Sequence, residues 1–218
     1  MKRVVSIFIC VIIILTGCSS PSYQTAEPIE NPTKTEPVLK EPESKPLAPP
    51  DHKPDEPVFE WHSAEVTEEN VRLALENNVG AAMAIPIKDE TFRRFTSSED
   101  LEGQYIELTI NPGTYWDEKD FVKKAGGSLI AYSKILFENP DVYEVSLDVK
   151  IDNVGGGEND GVYISWRRDQ AENVDYDSVL DNMFGDFTIP YTLARKYRID
   201  SSIYDKLGDI AIPEDHNL

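Results

Sequence analysis

Histidine, the side chain best suited to moving protons near neutral pH, occurs only 3 times in the 218 residues. His52 lies in a Pro-rich stretch, His62 at the edge of the following region and His216 in the tail, and none is placed like a catalytic base. No paired-histidine zinc-protease motif, no Gly-x-Ser-x-Gly elbow and no phosphate-cradling glycine loop occurs. Acyl transfer, zinc hydrolysis and nucleotide chemistry therefore lack their usual signatures. Carboxylates are abundant, and pairs such as Asp175 with Asp177, or Asp148 with Asp152, have the composition for general acid and base work. With 40 acidic residues such pairs also arise by chance, so no catalytic residue is assigned and no cofactor is expected. Glu158, Asn159 and Asp160 precede Gly161 in a Gly-rich run and offer the oxygen ligands calcium prefers. They lack the alternating acids and closing Glu of an EF-hand loop, and a plain hairpin loop is the preferred reading.

The basic side chains cluster at Arg93–Arg94, at Arg167–Arg168 and at Arg195, Lys196 and Arg198. Their first task in an acidic chain is to neutralise neighbouring carboxylates. Where such a cluster meets an aromatic side chain on a surface it becomes a recognition patch, since Arg and aromatic residues dominate interface hot spots. Arg167 and Arg168 beside Trp166 are the first choice for that role.

Only 2 cysteines occur, Cys10 and Cys18. Lys2 and Arg3 are followed by an apolar run from Val4 to Leu15, the charged and apolar regions of an export signal. The run is shorter than the roughly 20 residues needed to span a bilayer. It ends at Thr16 and Gly17, small residues of the kind found before a cleavage point. Leu15, Thr16, Gly17 and Cys18 resemble the lipobox of bacterial lipoproteins. The resemblance implies cleavage before Cys18, a diacylglycerol thioether on its sulfur and anchoring on the outer, extracytoplasmic face of the cell membrane. Two or three acyl chains hold stably, because each buried methylene contributes about 0.8 kcal/mol and one chain alone is marginal. Without Cys10 and a free Cys18, the remaining chain has no disulfide, thiol nucleophile or thiolate metal site.

The formal net charge is −19, from 40 acidic and 21 basic residues, and removal of Lys2 and Arg3 makes it more negative. Nucleic acid is an unsuitable partner, because phosphate backbones are bound by clustered cations that release counterions. Between Ser19 and Pro57 lie ten of the 15 prolines, mixed with Glu, Lys, Thr and Ser. Such a composition cannot bury enough apolar surface to offset the entropy of ordering. It is expected to form a disordered stalk over residues 18–57, reaching about 120 Å at the polyproline rise.

Residues 58–218 have the length of one domain. Thr67 can cap a helix through Asn78, with Gly80 as its stop. The apolar stretch from Ala81 to Ile87 is expected as a strand held to a sheet edge by Pro86, followed by a polar loop from Thr96 to Gly103. Ile106, Leu108 and Ile110 alternate with polar residues, as in a half-buried strand. Phe121, Ala125, Leu129, Tyr132 and Leu136 then form one stripe of a long helix. Gly126 and Gly127 inside it signal either close packing against the sheet or a break. The strict alternation from Tyr143 to Asp152 predicts an antiparallel strand with one wet face, returning through the Gly-rich run as Val162, Ile164 and Trp166. Asp175 or Asp177 caps a further helix, and short helical pieces around Leu193, Tyr197 and Leu207 complete the chain. The order predicts an α+β two-layer sandwich, a mainly antiparallel sheet with helices on one face. A long helix, a strand, a Gly-rich turn and a second strand are similar to small uncharacterised lipoproteins of Gram-positive bacteria.

The expected function is a membrane-tethered binding or interaction module whose partner is an envelope protein or a wall component. The alternatives are a wall-directed hydrolase using paired carboxylates, and a structural or exclusion role at the cell surface.

Overall fold

The computed structural model describes residues 59–80 and 82–218. The signal, Cys18 and the Pro-rich stretch lie outside those residues. After a 3-10 turn at Trp61–Ser63, helix α1 spans Glu68–Asn78. It begins as expected, the Thr67 hydroxyl accepting from the Asn70 amide, and Val71, Ala74 and Leu75 are its buried stripe. Helix α2, Glu118–Leu136, is capped by Asp117, whose carboxylate accepts the Asp120 amide at 2.8 Å. Glu118 and Asp120 in its first turn and Lys134 in its last complement the helix dipole.

Strands β1 (Phe92–Glu99), β2 (Gln104–Ile110), β3 (Val142–Asp152), β4 (Glu158–Arg167), β5 (Lys196–Ile199) and β6 (Asp215–His216) form one sheet in sequence order. All neighbours are antiparallel except β2 and β3, which run parallel with α2 as the crossover between them. α2 packs across β3 and β4, while α1, α4 (Tyr176–Asn182) and α5 (Ile189–Leu193) pack onto α2. The short helices α3 (Arg168–Ala171) and α6 (Ser201–Tyr204) follow β4 and β5. The architecture is thus α+β, with a mainly antiparallel sheet and its helices on one face. Val145, Leu147 and Val149 of β3 and Val162, Ile164 and Trp166 of β4 meet Phe121, Ala125 and Leu129 of α2 in one core.

Several local expectations change. The segment from residue 82 to 87 is not a strand. Met83, Ile85 and Ile87 are buried, but the backbone finds side-chain partners in place of a ladder: the Ile85 N–H donates to Ser128 Oγ at 2.8 Å, and the Tyr132 hydroxyl donates to the Ile85 carbonyl. The polar stretch from Phe92 to Glu99 is β1, paired with β2 along its length. Its period is hidden by a register shift between Phe92 and Arg94 and by exposure of most of the strand. The hairpin loop is shorter than expected, since β4 already starts at Glu158. Tyr197 sits in β5 and not in a helix.

Gly126 and Gly127 do not break α2. A Cβ on Gly126 would lie 3.0 Å from the Pro190 ring, and one on Gly127 would lie 2.8 Å from Met83 Cβ and the Met83 carbonyl oxygen. The two glycines let α5 and the Met83 segment approach the helix, so the close packing is against these elements and not against the sheet.

Candidate functional site

Alternation along the strands sends Val145, Leu147, Val149, Val162 and Ile164 into the helix-covered core, and places Glu144, Ser146, Asp148, Tyr163 and Ser165 on the opposite side. That side is an almost entirely polar lattice. Thr96 pairs with Glu107, Glu107 with Ser146, Ser146 with Ser165, and Ser165 with Lys196. The next row runs from Arg94 through Thr109, Asp148 and Tyr163 to Arg198. No helix packs on this face, yet Glu144 is 3% exposed, Ser146 6%, Thr109 5% and Ser165 0%. Long neighbouring side chains provide the cover. Lys196, for example, lies with its ammonium 5.2 Å from the centre of the Tyr163 ring. The expected wet face of β3 is therefore half covered.

Two depressions adjoin on this face and share Glu107 and Tyr163. The smaller, about 260 Å³, is bounded by Ser98, Tyr105, Glu144, Ser146, Arg195 and Lys196. The Glu144 carboxylate takes the Arg167 guanidinium at 3.0 Å and also that of Arg195. Arg167 in turn lies over the Tyr143 ring, with 5.4 Å to its centre. A register shift between Gln104 and Tyr105 leaves Tyr143 as an extra residue in β3, and its ring meets Tyr105 edge to face at 5.5 Å. Hydrogen bonding to Glu144 raises the Arg167 pKa further. Among the described residues Lys196 has no carboxylate in ion-pair range, while Glu107, which also lines this depression, pairs with Arg94.

The larger depression, about 510 Å³, is bounded by Asp148, Lys150, Asp160, Arg198, Asp200 and Glu214. Lys150 bridges Asp148 at 2.8 Å and Asp160 at 2.5 Å, and Arg198 reaches Asp160 at 3.7 Å. The hydrogen bond from Lys150 holds the Asp160 carboxyl below the ordinary aspartate value. Burial alone would lower the Lys150 pKa, but its bonds to Asp148 and Asp160 outweigh this and raise it. Asp200 and Glu214 are in excess over these two cations, so this end is negative. Gly161, which lines the larger depression, is the extra residue where the β3–β4 register shifts. A Cβ there would lie 2.5 Å from the Phe121 ring and 2.9 Å from the Val149 carbonyl oxygen.

Chemically this lattice provides fixed charge and hydroxyls. The carboxylates whose values shift, Asp100, Glu118, Glu158, Asp160, Asp175 and Asp186, all shift downward, whereas a general acid needs a raised value. The hydroxyls of Thr109 and Ser165 are buried without a hydrogen-bond partner among the described residues. Buried polar groups are seldom left so.

The sequence-derived candidates divide. Arg167 belongs to this face. Trp166 does not, because the pleat turns it into the core, where it is fully buried and meets Tyr176 edge to face at 5.6 Å. Arg168 is also removed from the recognition patch. Its guanidinium donates to the carbonyls of Phe137, Asn139 and Val142 at 2.5–2.8 Å, fixing the end of α2 to the start of β3, and burial pushes its pKa down. Glu158, Asn159 and Asp160 do not form a calcium loop. They lie in the paired strand β4, where Glu158 binds Arg93 and Asn111, and Asp160 binds Lys150. No cluster of three metal-ligating side chains occurs among the described residues.

The carboxylate pairs are also spent. Asp175 caps α4, and Asp177 binds Lys134 at 2.7 Å. Asp148 binds Lys150, while Asp152 accepts from Asn111 at 2.7 Å. The Arg93–Arg94 cluster pairs with Glu158 and Glu107. Sequence reasoning passed over Glu144, Tyr163 and Ser165. The signal for them was present in the polar half of the alternation of β3 and β4, read together across the hairpin.

A separate cavity of about 650 Å³ lies on the helical side, bounded by Met83, Ala131, Ile135, Leu180 and Phe184. The ion pair at its edge, Lys134 with Asp177, is well exposed. It brings together fewer polar groups than the sheet face. Comparison with protein-family models, with curated proteins and with solved structures finds no match.

Proposed function

We propose that this chain is a lipid-anchored binding module of the extracytoplasmic side of the cell membrane, and that the helix-free face of its sheet is where it meets a polar ligand. The placement rests on the signal, the lipobox at Cys18 and the Pro-rich stretch that follows. Among the described residues no helix is long and apolar enough to cross a membrane. The binding role rests on one observation: a polar face left free of helices carries two adjoining depressions, ordered ion pairs and buried hydroxyls without partners.

This reading separates into two tests. Expressed in bacteria as the full chain, the protein incorporates labelled palmitate and sediments with membranes, and Cys18→Ala abolishes both. A Cys18→Ala chain that still carries the label or is still processed contradicts the anchor. For the face, exchanging charge at Arg195 and Lys196 weakens retention of cell-wall material by the mature chain, while exchanging charge at exposed Lys119 on α2 does not. Equal effects contradict the assignment of the face.

A further inference from the structure

We infer that two copies of this chain pair along β1, edge to edge and antiparallel, so that their sheets continue into one another. A sheet has two edges, and here they differ. β6 is only 2 residues long, which blunts its edge, whereas β1 presents 8 residues and has a neighbouring strand on one side alone. The usual guards against edge pairing are charges, prolines and bulges. In β1 they are confined to its start. The register shift lies between Phe92 and Arg94, and Arg93 turns away to Glu158 and to the Glu90 carbonyl. From Phe95 to Glu99 there is no bulge, no proline and no basic residue.

The free backbone groups of this stretch follow from the pairing on its other side. The Asp100 amide donates to the Gly103 carbonyl at 3.1 Å, while Gln104, opposite Glu99, donates to Asp141. Backbone direction alternates along an antiparallel pair. Thr96 and Ser98 therefore serve β2, and Phe95, Ser97 and Glu99 turn their N–H and C=O groups outward. Among the described residues these outward groups have no backbone partner.

The charge along the strand selects a second copy as the occupant. β1 begins with Arg93 and Arg94 and ends at Glu99 and Asp100, so antiparallel pairing with itself sets opposite charges together, and parallel pairing sets like on like. A two-fold axis at Ser97, perpendicular to the sheet, uses all three outward residues and leaves out the bulge. Ser97 then meets Ser97, Phe95 meets Glu99, Thr96 meets Ser98, and Arg94 meets Asp100 of the second copy. Arg94 has donors to spare, being 60% exposed and 3.6 Å from Glu107. The contact is isologous and closes on itself, because no second long edge remains. This axis keeps both helix layers on one side and both open faces on the other. The smaller depression includes Thr96, Ser97 and Ser98, so the second copy supplies part of its wall. Two chains of net charge −19 repel at a distance, but at 0.15 M salt this is screened beyond about 8 Å.

Disulfide mapping tests the seam, using the full chain expressed in bacteria and oxidised in whichever fraction holds it. Differently tagged Thr96→Cys and Ser98→Cys chains, expressed together, are expected to form the mixed disulfide at least about tenfold faster than either joins its own kind. Opposed Cα atoms lie about 4.5 Å apart, whereas like residues are offset to about 7–8 Å, beyond disulfide reach. Ser97→Cys alone joins itself. The unsubstituted chain, with only Cys10 and Cys18, is the blank. Adding Ser97→Pro to the mixed pair abolishes the bond, since it removes an outward N–H that β2 does not use. Ser97→Lys, which opposes like charges across the seam, does the same without altering the backbone. Equal rates for mixed and like pairs, or a mixed disulfide that survives both changes at Ser97, overturn the inference. So does the absence of any cross-link, or a cross-link to a different protein only, which assigns the edge to a foreign strand. None of these outcomes bears on Cys18 or on what the open face binds.

Discussion

The two sides of the β3–β4 hairpin obey different rules although the same residues build them. Toward the helices lie Val145, Leu147, Val149, Val162, Ile164 and Trp166, all at most 1% exposed and packed against α2. Away from the helices lie Glu144, Ser146, Asp148, Tyr163 and Ser165, among which Glu144 is held by an ion pair to Arg167 across the hairpin and Asp148 by one to Lys150. The first side is governed by volume, since each buried methylene and each void has a cost in a close-packed interior. The second is governed by charge, and its members are exchangeable in volume but not in sign. A chain needs only one packed face to hold a sheet, so the ordered charge on the other is the feature that calls for a function.

Breaking the packed face has the largest effect. Phe121→Ala, which removes a fully buried ring, should cost about 3–5 kcal/mol in denaturant unfolding. The same ring closes over Gly161, so Gly161→Ala alone should cost about 1–3 kcal/mol but much less in the Phe121→Ala background. Additive costs would show that the bulge and the helix are not in contact.

Next comes the clamp between the end of α2 and the start of β3. Arg168→Met strands three carbonyl oxygens at the end of α2 and should cost about 2–3 kcal/mol. Arg168→Lys should recover only part of this, because one ammonium cannot reproduce the planar fork.

On the open face the effects are smaller and depend on charge. Glu144→Gln leaves Arg167 and Arg195 without their shared carboxylate. Breaking a buried pair costs about 3–5 kcal/mol, but these side chains are 25% and 35% exposed, and about 1–3 kcal/mol is expected after screening by solvent. The Asp160 carboxyl is held below its ordinary value by Lys150. Its contribution is therefore present above the unfolded value near pH 4 and lost as pH falls through the folded one. The melting temperature should fall on acidification below that range, and Lys150→Met should make the acid limb shallower. Ser165→Ala, which removes a hydroxyl with no partner, should shift stability by less than about 0.5 kcal/mol or raise it slightly. A large loss there would mean that the hydroxyl is part of the packing and not of the site.

The packed face was readable from sequence because it is periodic. The apolar stripe of α2, the cap at Thr67 and the alternation of β3 and β4 each depend on near neighbours. Where partners are distant in sequence, the reading failed. β1 is recognisable as a strand only through its pairing with β2, and the buried segment at Ile85 depends on Ser128 and Tyr132 of α2. The parallel pairing of β2 with β3 was likewise hidden, since alternation shows which side a residue takes but not which strand lies beside it. The same limit applied to the site. Arg167, Arg195 and Glu144 are separated along the chain and become one cluster only after β3, β4 and β5 are aligned. Trp166 misled for a related reason, as its neighbours Arg167 and Arg168 are charged while its own side of the pleat is core.

Amide chemical-shift mapping of the mature chain during titration with soluble cell-wall fragments tests the central claim most directly. The account predicts saturable shifts centred on Ser146, Tyr163, Ser165 and Lys196, with the amides around Leu129 and Ile130 of α2 unmoved. Shifts centred on Met83, Leu180 and Phe184 at the helical cavity, with the sheet face silent, would contradict it.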